Sequence, residues 1–198
     1  ILIEKFIEIS HQLTNESIIN VRTRMGKNPA LTMDIILTYP ELEWKCEYYS
    51  SIYMNINDIL GYPNLEWDFD GVSRNSSVTI EVLLSNIDKP WSWRGLSSNP
   101  NITMSNIESH LHLPWNWWDG VSMNPNLTIT MIEANSDMHW DWNDIGKELN
   151  LTADILRQYG DKPWNFDLMS LLNTSITLEL LLATPDLEWN YQYLSRNY

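Results

Sequence analysis

Apolar side chains recur along this chain with a period of about 24 residues, in three series that stay in register. Tryptophan stands at Trp44, Trp67, Trp91, Trp115, Trp140, Trp164 and Trp189, spaced by 23, 24, 24, 25, 24 and 25 residues. Twelve residues before each comes a helix-capping type: Thr32, Asn55, Thr79, Thr103, Thr128, Thr152 and Thr177. The residue before each cap is apolar, from Leu31 and Met54 to Leu151 and Ile176, and so is the fourth residue after it, from Ile36 and Ile59 to Leu156 and Leu181. Self-similarity at one fixed period is the mark of a repeat architecture.

The offsets carry a mechanism. A Thr or Asn at the N-cap accepts a hydrogen bond from an otherwise orphaned helical N–H. An apolar residue before the cap, with its partner four residues past it, has the spacing of a hydrophobic staple. Acids in the first turn (Asp34, Glu81, Asp154, Glu179) suit the positive end of the helix dipole. A helix is therefore predicted after each cap, stopped within about two turns by Pro40, Pro63, Gly160 or Pro185. A second cap is expected three residues before each Trp, at Asn64, Asp88, Asp137, Asp161 and Asp186, with Glu41 and His112 as poorer versions. The second helix then carries the Trp, an aromatic two residues on (Phe69, Trp93, Trp117, Trp142, Phe166, Tyr191) and an aliphatic such as Leu96, Ile145 or Leu194. It ends at a small residue (Ser50, Ser73, Ser97, Ser122, Gly146, Ser170 or Ser195), and Asn28-Pro29, Asn99-Pro100 and Asn124-Pro125 turn into the next unit.

Each unit reads as a two-helix hairpin that cannot bury its own aromatic face, whereas stacked hairpins can. The expected fold is all-α: an α-solenoid of about seven short helix-turn-helix repeats. Residues 28–198 form the array. Residues 1–27 lack the tryptophan, carry Lys5, Arg22, Arg24 and Lys27, and read as a degenerate N-terminal capping hairpin. A start at Ile1 instead of Met points to a trimmed product, and Ser195-Arg196-Asn197-Tyr198 reads as the start of another inter-unit turn.

Composition narrows the function. The 198 residues are 43% hydrophobic, enough for a continuous core, and 26 acids against 12 bases give a formal charge of −14. An acidic chain disfavours nucleic acid, whose phosphates need a basic face. No apolar run reaches the 18 or more residues of a membrane span, and the start is not a signal peptide. The single cysteine, Cys46, excludes an intrachain disulfide and fits a reducing compartment. The expectation is a cytoplasmic protein that is neither secreted nor membrane-bound.

Candidate chemistry is sparse. His110 and His112 share one turn and His139 lies at a nearby offset of the next unit; with Glu108 or Asp137 they could make a zinc or nickel set. They also occupy variable turn positions, so no metal or other cofactor is assigned. The carboxylates sit largely at caps and first turns, and no pair stands out for acid–base work. Cys46 takes the aromatic position after Trp44 and reads as buried, the recurrent Ser lacks a GxSxG context, and no glycine loop cradles phosphate. Asn-x-Ser/Thr triplets begin at Asn15, Asn75, Asn101, Asn126, Asn150 and Asn173; the period explains most of them without a glycan. Aromatic ladders can stack bases or sugars, but tryptophans at this period read as core. Trp118 differs, following Trp117 in a unit one residue longer, and is the single residue singled out for a partner contact.

The stretches Asn99-Pro100-Asn101-Ile102-Thr103 and Asp88-Lys89-Pro90-Trp91-Ser92-Trp93-Arg94-Gly95-Leu96-Ser97 resemble short repeats of mimivirus-like giant DNA viruses, which read approximately NPNIT, then a helical stretch, then DKPWxWxxLS. The resemblance spans about Asn28 to Asn197. Asn55 in place of the cap Thr, and Glu43 and Glu66 in place of Pro, depart from it. It implies a viral interaction or structural protein and transfers no catalytic residue. Two functions are expected in order: a non-enzymatic scaffold presenting an acidic solenoid surface to a host or viral protein, then a structural component of a viral particle in which units associate head-to-tail between chains.

Overall fold

The computed structural model describes residues 31–40, 44 and 52–197. The hairpin expected over residues 1–27, His11 and Cys46 lie outside them. Among the described residues every regular element is helical. The first four are α1 (Met33–Thr38), α2 (Ile56–Gly61), α3 (Phe69–Ser73) and α4 (Ile80–Ser85). Next come α5 (Trp93–Ser97), α6 (Met104–Ser109), a 3-10 segment at Val121–Met123 and α7 (Ile129–Ala134). The chain continues through α8 (Trp142–Glu148), α9 (Ala153–Gln158), α10 (Phe166–Leu172), α11 (Leu178–Ala183) and α12 (Tyr191–Leu194). None is long and apolar enough to cross a membrane.

Helices α1, α2, α4, α6, α7, α9 and α11 each begin one residue after a Thr or Asn of the capping series. Asn55 accepts from the N–H of Asn57 at 2.9 Å, and the Thr103, Thr128, Thr152 and Thr177 hydroxyls accept from the N–H three residues on at 3.2, 3.3, 3.2 and 3.2 Å. Thr79 receives the Val82 N–H at a longer 3.4 Å. Thr32 has the extended cap backbone but makes no side-chain cap bond. Thr103 completes a reciprocal capping box with Asn106. A hydrogen bond from the Thr79 hydroxyl, then one from its own backbone amide, holds the Glu81 carboxyl below the ordinary carboxylate range. The residues before the caps and those four past them are buried from Leu31 and Ile36 through Leu151 and Leu156; Ile176 and Leu181 are half-buried.

From the Trp67 repeat onward, the second helix starts later than the sequence pattern places it. The Trp is outside it. Trp91 N–H donates to the Lys89 carbonyl and Trp164 N–H to the Lys162 carbonyl, both at 2.8 Å, three-residue turns with proline at the centre. Asp88 and Asp161 therefore cap nothing and lie 3.5 and 3.3 Å from Lys89 and Lys162. The caps are the residues just after the Trp. Asp68, Ser92, Asp141, Asn165 and Asn190 accept helical N–H groups at 3.0, 3.2, 2.9, 3.0 and 3.1 Å.

Backbone contacts divide the chain into two compact units, Ile1–Val78 with Ser85–Trp91, and Thr79–Leu84 with Ser92–Tyr198. In the second, second-half elements pack on their neighbours in chain order: α5 on the 3-10 segment, that segment on α8, α8 on α10, and α10 on α12.

Three buried asparagines tie their repeats to the one before. Within the second unit, Asn124 directs its Nδ2 at the carbonyls of Ser97, Asn99 and Ile102 at 2.8, 3.2 and 3.0 Å. Asn173 Nδ2 donates to Gly146 and Leu149 at 2.7 and 2.9 Å. In the first unit Asn75 Nδ2 reaches the Met54 carbonyl at 2.7 Å. The Oδ1 of Asn75, Asn99, Asn124 and Asn173 accepts the N–H two residues on, closing an Asx turn. Leu149 holds this place in one repeat, and there Ser175 of the next repeat accepts the Leu151 N–H at 2.9 Å instead. Serine makes a parallel link. Ser97, Ser122 and Ser170 accept the N–H of Asn116, Asp141 and Asn190, the residues after the next Trp, at 2.9, 3.0 and 3.0 Å.

Removing a buried donor leaves its acceptors unpaired, which costs more than the bond itself was worth. Asn124→Ala is expected to destabilise the chain by about 3 kcal/mol in denaturant unfolding. Asn126→Ala, which removes an exposed bond to the Pro100 carbonyl, is expected to cost under about 1 kcal/mol.

Candidate functional site

The seven periodic tryptophans share one bond. Each indole Nε1–H donates to the carbonyl five residues earlier: Tyr39, Tyr62, Asn86, His110, Asn135, Tyr159 and Thr184, at 2.8, 3.0, 2.7, 2.9, 2.9, 2.7 and 3.1 Å. Those acceptors stand just past the end of the first helix, where carbonyls lack intrahelical donors. From Tyr62 to Thr184 the same carbonyl also receives the N–H three residues on, so both its lone pairs are used. Trp44, Trp91, Trp115, Trp140 and Trp189 are buried; Trp67 and Trp164 are half-buried.

The aromatic two residues after Trp67, Trp91, Trp115, Trp140 and Trp164 meets the next Trp edge to face. Phe69–Trp91 lies in the first unit at 5.5 Å and 81°. In the second, Trp93–Trp115, Trp117–Trp140, Trp142–Trp164 and Phe166–Trp189 have centroids 5.4, 5.3, 5.0 and 5.2 Å apart at 85°, 87°, 80° and 87°. This places the positive ring edge against the negative face of its neighbour.

Trp118 lies outside this ladder. The extra residue of its repeat is absorbed by two i→i−5 bonds, Val121 N–H to Asn116 and Ser122 N–H to Trp117, at 2.7 and 3.1 Å. Such single-turn bulges accommodate one inserted residue in a helix. Gly120 sits inside it, where a Cβ would lie 2.4 Å from the Asn116 carbonyl oxygen and 2.7 Å from Ser97 Cβ. The bulge leaves the Trp118 indole 53% exposed.

The histidines do not converge. His110 Nδ1 lies 2.8 Å from the Asn106 carbonyl, and its own carbonyl receives Trp115. His112 faces it at a ring distance of 6.0 Å. Among the described residues no three His, Cys, Asp or Glu side chains are grouped to hold a metal. Of the glycosylation triplets, Asn75 and Asn173 are buried with their amides bonded to backbone.

A cleft of about 440 Å³ opens in the second unit where α7 and α9 flank the turn leading to Trp140. Ile132, Met138 and Trp140 form its apolar lining, with Trp142 and Tyr159 beside them. Those two rings stack at 5.7 Å and 29°. Glu133, His139 and Lys162 supply the charged and polar groups. Glu133 Oε1 accepts from the Tyr159 hydroxyl at 2.9 Å and from Gln158 Nε2 at 3.2 Å. Burial, the bond to Glu133 and that carboxylate's charge raise the Tyr159 phenol above its ordinary range. Lys162 Nζ lies 5.7 Å from the centroid of the Trp142 ring, a cation on an aromatic face. Neither Glu133 nor Tyr159 belongs to the periodic capping and tryptophan series. The only sequence signal for the cleft was that acid and that phenol, at turn and helix positions whose residue type varies between repeats.

The chain matches no protein-family model, no curated protein and no solved structure.

The ladder separates two contributions of a tryptophan. Trp115→Phe keeps a ring but removes the indole donor, leaving the His110 carbonyl to the Leu113 N–H alone, and is expected to cost about 1–2 kcal/mol. Trp115→Ala also opens a cavity and is expected to cost about 3–5 kcal/mol. Thermal or denaturant unfolding of the two variants reads the difference.

Proposed function

We propose that the chain is a non-enzymatic protein–protein interaction scaffold: an α-solenoid of about seven helical hairpins that presents an acidic surface to a protein partner. The observation that carries this reading is the packing of α5, the 3-10 segment, α8, α10 and α12, each on its neighbour in sequence. Nearest-neighbour packing is how solenoids grow, and their stacked repeats offer long binding surfaces. Polar chemistry supports it too. The periodic Thr, Asn, Ser and Trp groups are engaged in holding the repeats. A charge of −14 steers basic partners toward such a surface and repels acidic ones. The likeness of the repeats to those of giant DNA viruses favours a host or viral protein as partner, in host cytoplasm or virion.

A second reading is a self-assembling structural component. It is favoured by Leu178, which is 72% exposed although Met33, Ile56, Ile80 and Met104 at the same place of other repeats are buried. A repeat from another copy would cover it head-to-tail.

Solution scattering and mass measurement distinguish these. A compact chain of this length has a radius of gyration of about 16 Å. The scaffold reading expects a monomer with a clearly larger radius and salt-sensitive capture of a defined protein. A concentration-dependent rise in mass that Leu178→Glu abolishes would favour self-assembly, and a monomer near 16 Å would count against the solenoid itself.

A further inference from the structure

The cleft beside α7 has a feature that the repeat does not explain: an apolar lining joined to one carboxylate oxygen that holds nothing. Glu133 Oε1 is occupied by Tyr159 and Gln158, while Oε2 makes no hydrogen bond among the described residues. Trp142 and Tyr159 line the cleft next to that carboxylate, and Lys162 already rests its ammonium over the Trp142 ring. From this geometry we infer that the cleft is a pocket for an arginine side chain of a basic partner, stacked on the Trp142–Tyr159 rings and paired with Glu133. The inference rests on the scaffold reading, and names the chemistry of its partner.

Three properties select arginine. Its aliphatic stem matches the apolar lining of Ile132, Met138 and Trp140, as amphipathic side chains bury their stems and keep their heads at the rim. Its planar guanidinium can lie on an aromatic face and still direct N–H groups at a carboxylate, which a lysine ammonium does less well. The volume of about 440 Å³ admits one such side chain with part of its backbone. Lys162 marks the ring face as one that attracts cations, and it competes for that face. The overall charge of −14 favours approach of a basic segment and disfavours an acidic one. The Tyr159 hydroxyl, donating to Oε1, orients the carboxylate so that Oε2 remains for the ligand.

The test uses the full chain and a capped Gly-Ser peptide carrying four arginines, with lysine and glutamate versions of the same length. Indole ¹⁵N resonances and calorimetry follow the titration. The arginine peptide should bind about tenfold more tightly than the lysine peptide, the glutamate peptide should not bind, and the Trp140 and Trp142 resonances should move most. Glu133→Gln should weaken the arginine peptide about tenfold with no change in melting temperature. Lys162→Ala should tighten it, and Glu108→Gln, at the equivalent helical place of another repeat, should leave it unchanged. Equal binding by wild type and Glu133→Gln, or movement confined to other tryptophans, overturns the pocket. If a protein partner is still captured in that case, the scaffold reading survives without it. If the peptide binds here but no protein partner exists, the pocket stands and the scaffold reading falls.

Discussion

Short helices cannot satisfy their own ends, and the rest of this structure follows from that. A helix of four to seven residues, the range found here, has roughly as many orphan N–H and C=O groups as bonded ones. It also falls below the length at which a helix is stable alone in water. Each such helix persists only if something outside it accepts its first N–H groups and donates to its last carbonyls. The Thr and Asn caps do the first. The indole Nε1–H of the following Trp does the second, at the same i−5 carbonyl in all seven repeats with a described tryptophan. Tryptophan suits the place because one side chain supplies both a donor for the helix end and a large apolar ring.

That bond fixes where the ring goes, and the ring fixes the spacing between repeats. With its N–H held by the preceding helix end, the indole turns its edge or face to the aromatic of the previous repeat. The five described pairs fall within 5.0–5.5 Å and 80–87°. Asparagine and serine repeat the same logic on the backbone. Asn75, Asn124 and Asn173 each close their own turn with Oδ1 and reach the previous repeat with Nδ2, so one side chain sets both local geometry and registry. Polar groups buried in this way cost free energy if unpaired and specify one arrangement when paired. Leu149 with Ser175 shows that the network tolerates a change of residue when a neighbour restores the bond.

Which of these devices was legible follows from their range in sequence. The first-helix caps were readable because donor and acceptor lie within three residues. The second-helix start was misplaced for a physical reason. Asp88-Lys89-Pro90 and Asp161-Lys162-Pro163 imitate an N-cap followed by a first-turn proline, but the Trp backbone N–H closes a turn across that proline. The polar residue directly after the Trp (Asp68, Ser92, Asp141, Asn165 or Asn190) was the better signal and recurs at the same period. The asparagine links were hidden. An Asn before Pro or Ser reads as a turn residue, and only three-dimensional packing reveals that its amide is buried against carbonyls 21 to 27 residues away. The cleft was hidden too, since Glu133 and Tyr159 lie 26 residues apart, and although Glu108, Tyr39 and Tyr62 stand at the same places of other repeats, only here does an acid meet a phenol of the next repeat.

In such a chain, function is best sought where the period is broken. A residue that recurs every 24 positions already has a duty, and each duty found here is a bond that a short helix or a repeat junction needs. The Trp118 indole in its bulge, and the side-chain bond between Glu133 and Tyr159 beside Trp142, belong to no such series. Large exposed aromatics and an unsaturated carboxylate lose hydration when covered and gain little for the fold. They concentrate apolar area and directed charge at two places on the second unit, which is the distribution of binding energy found at hot spots in protein interfaces. The periodic residues build the support, and the partner contact we propose rests on the irregular ones.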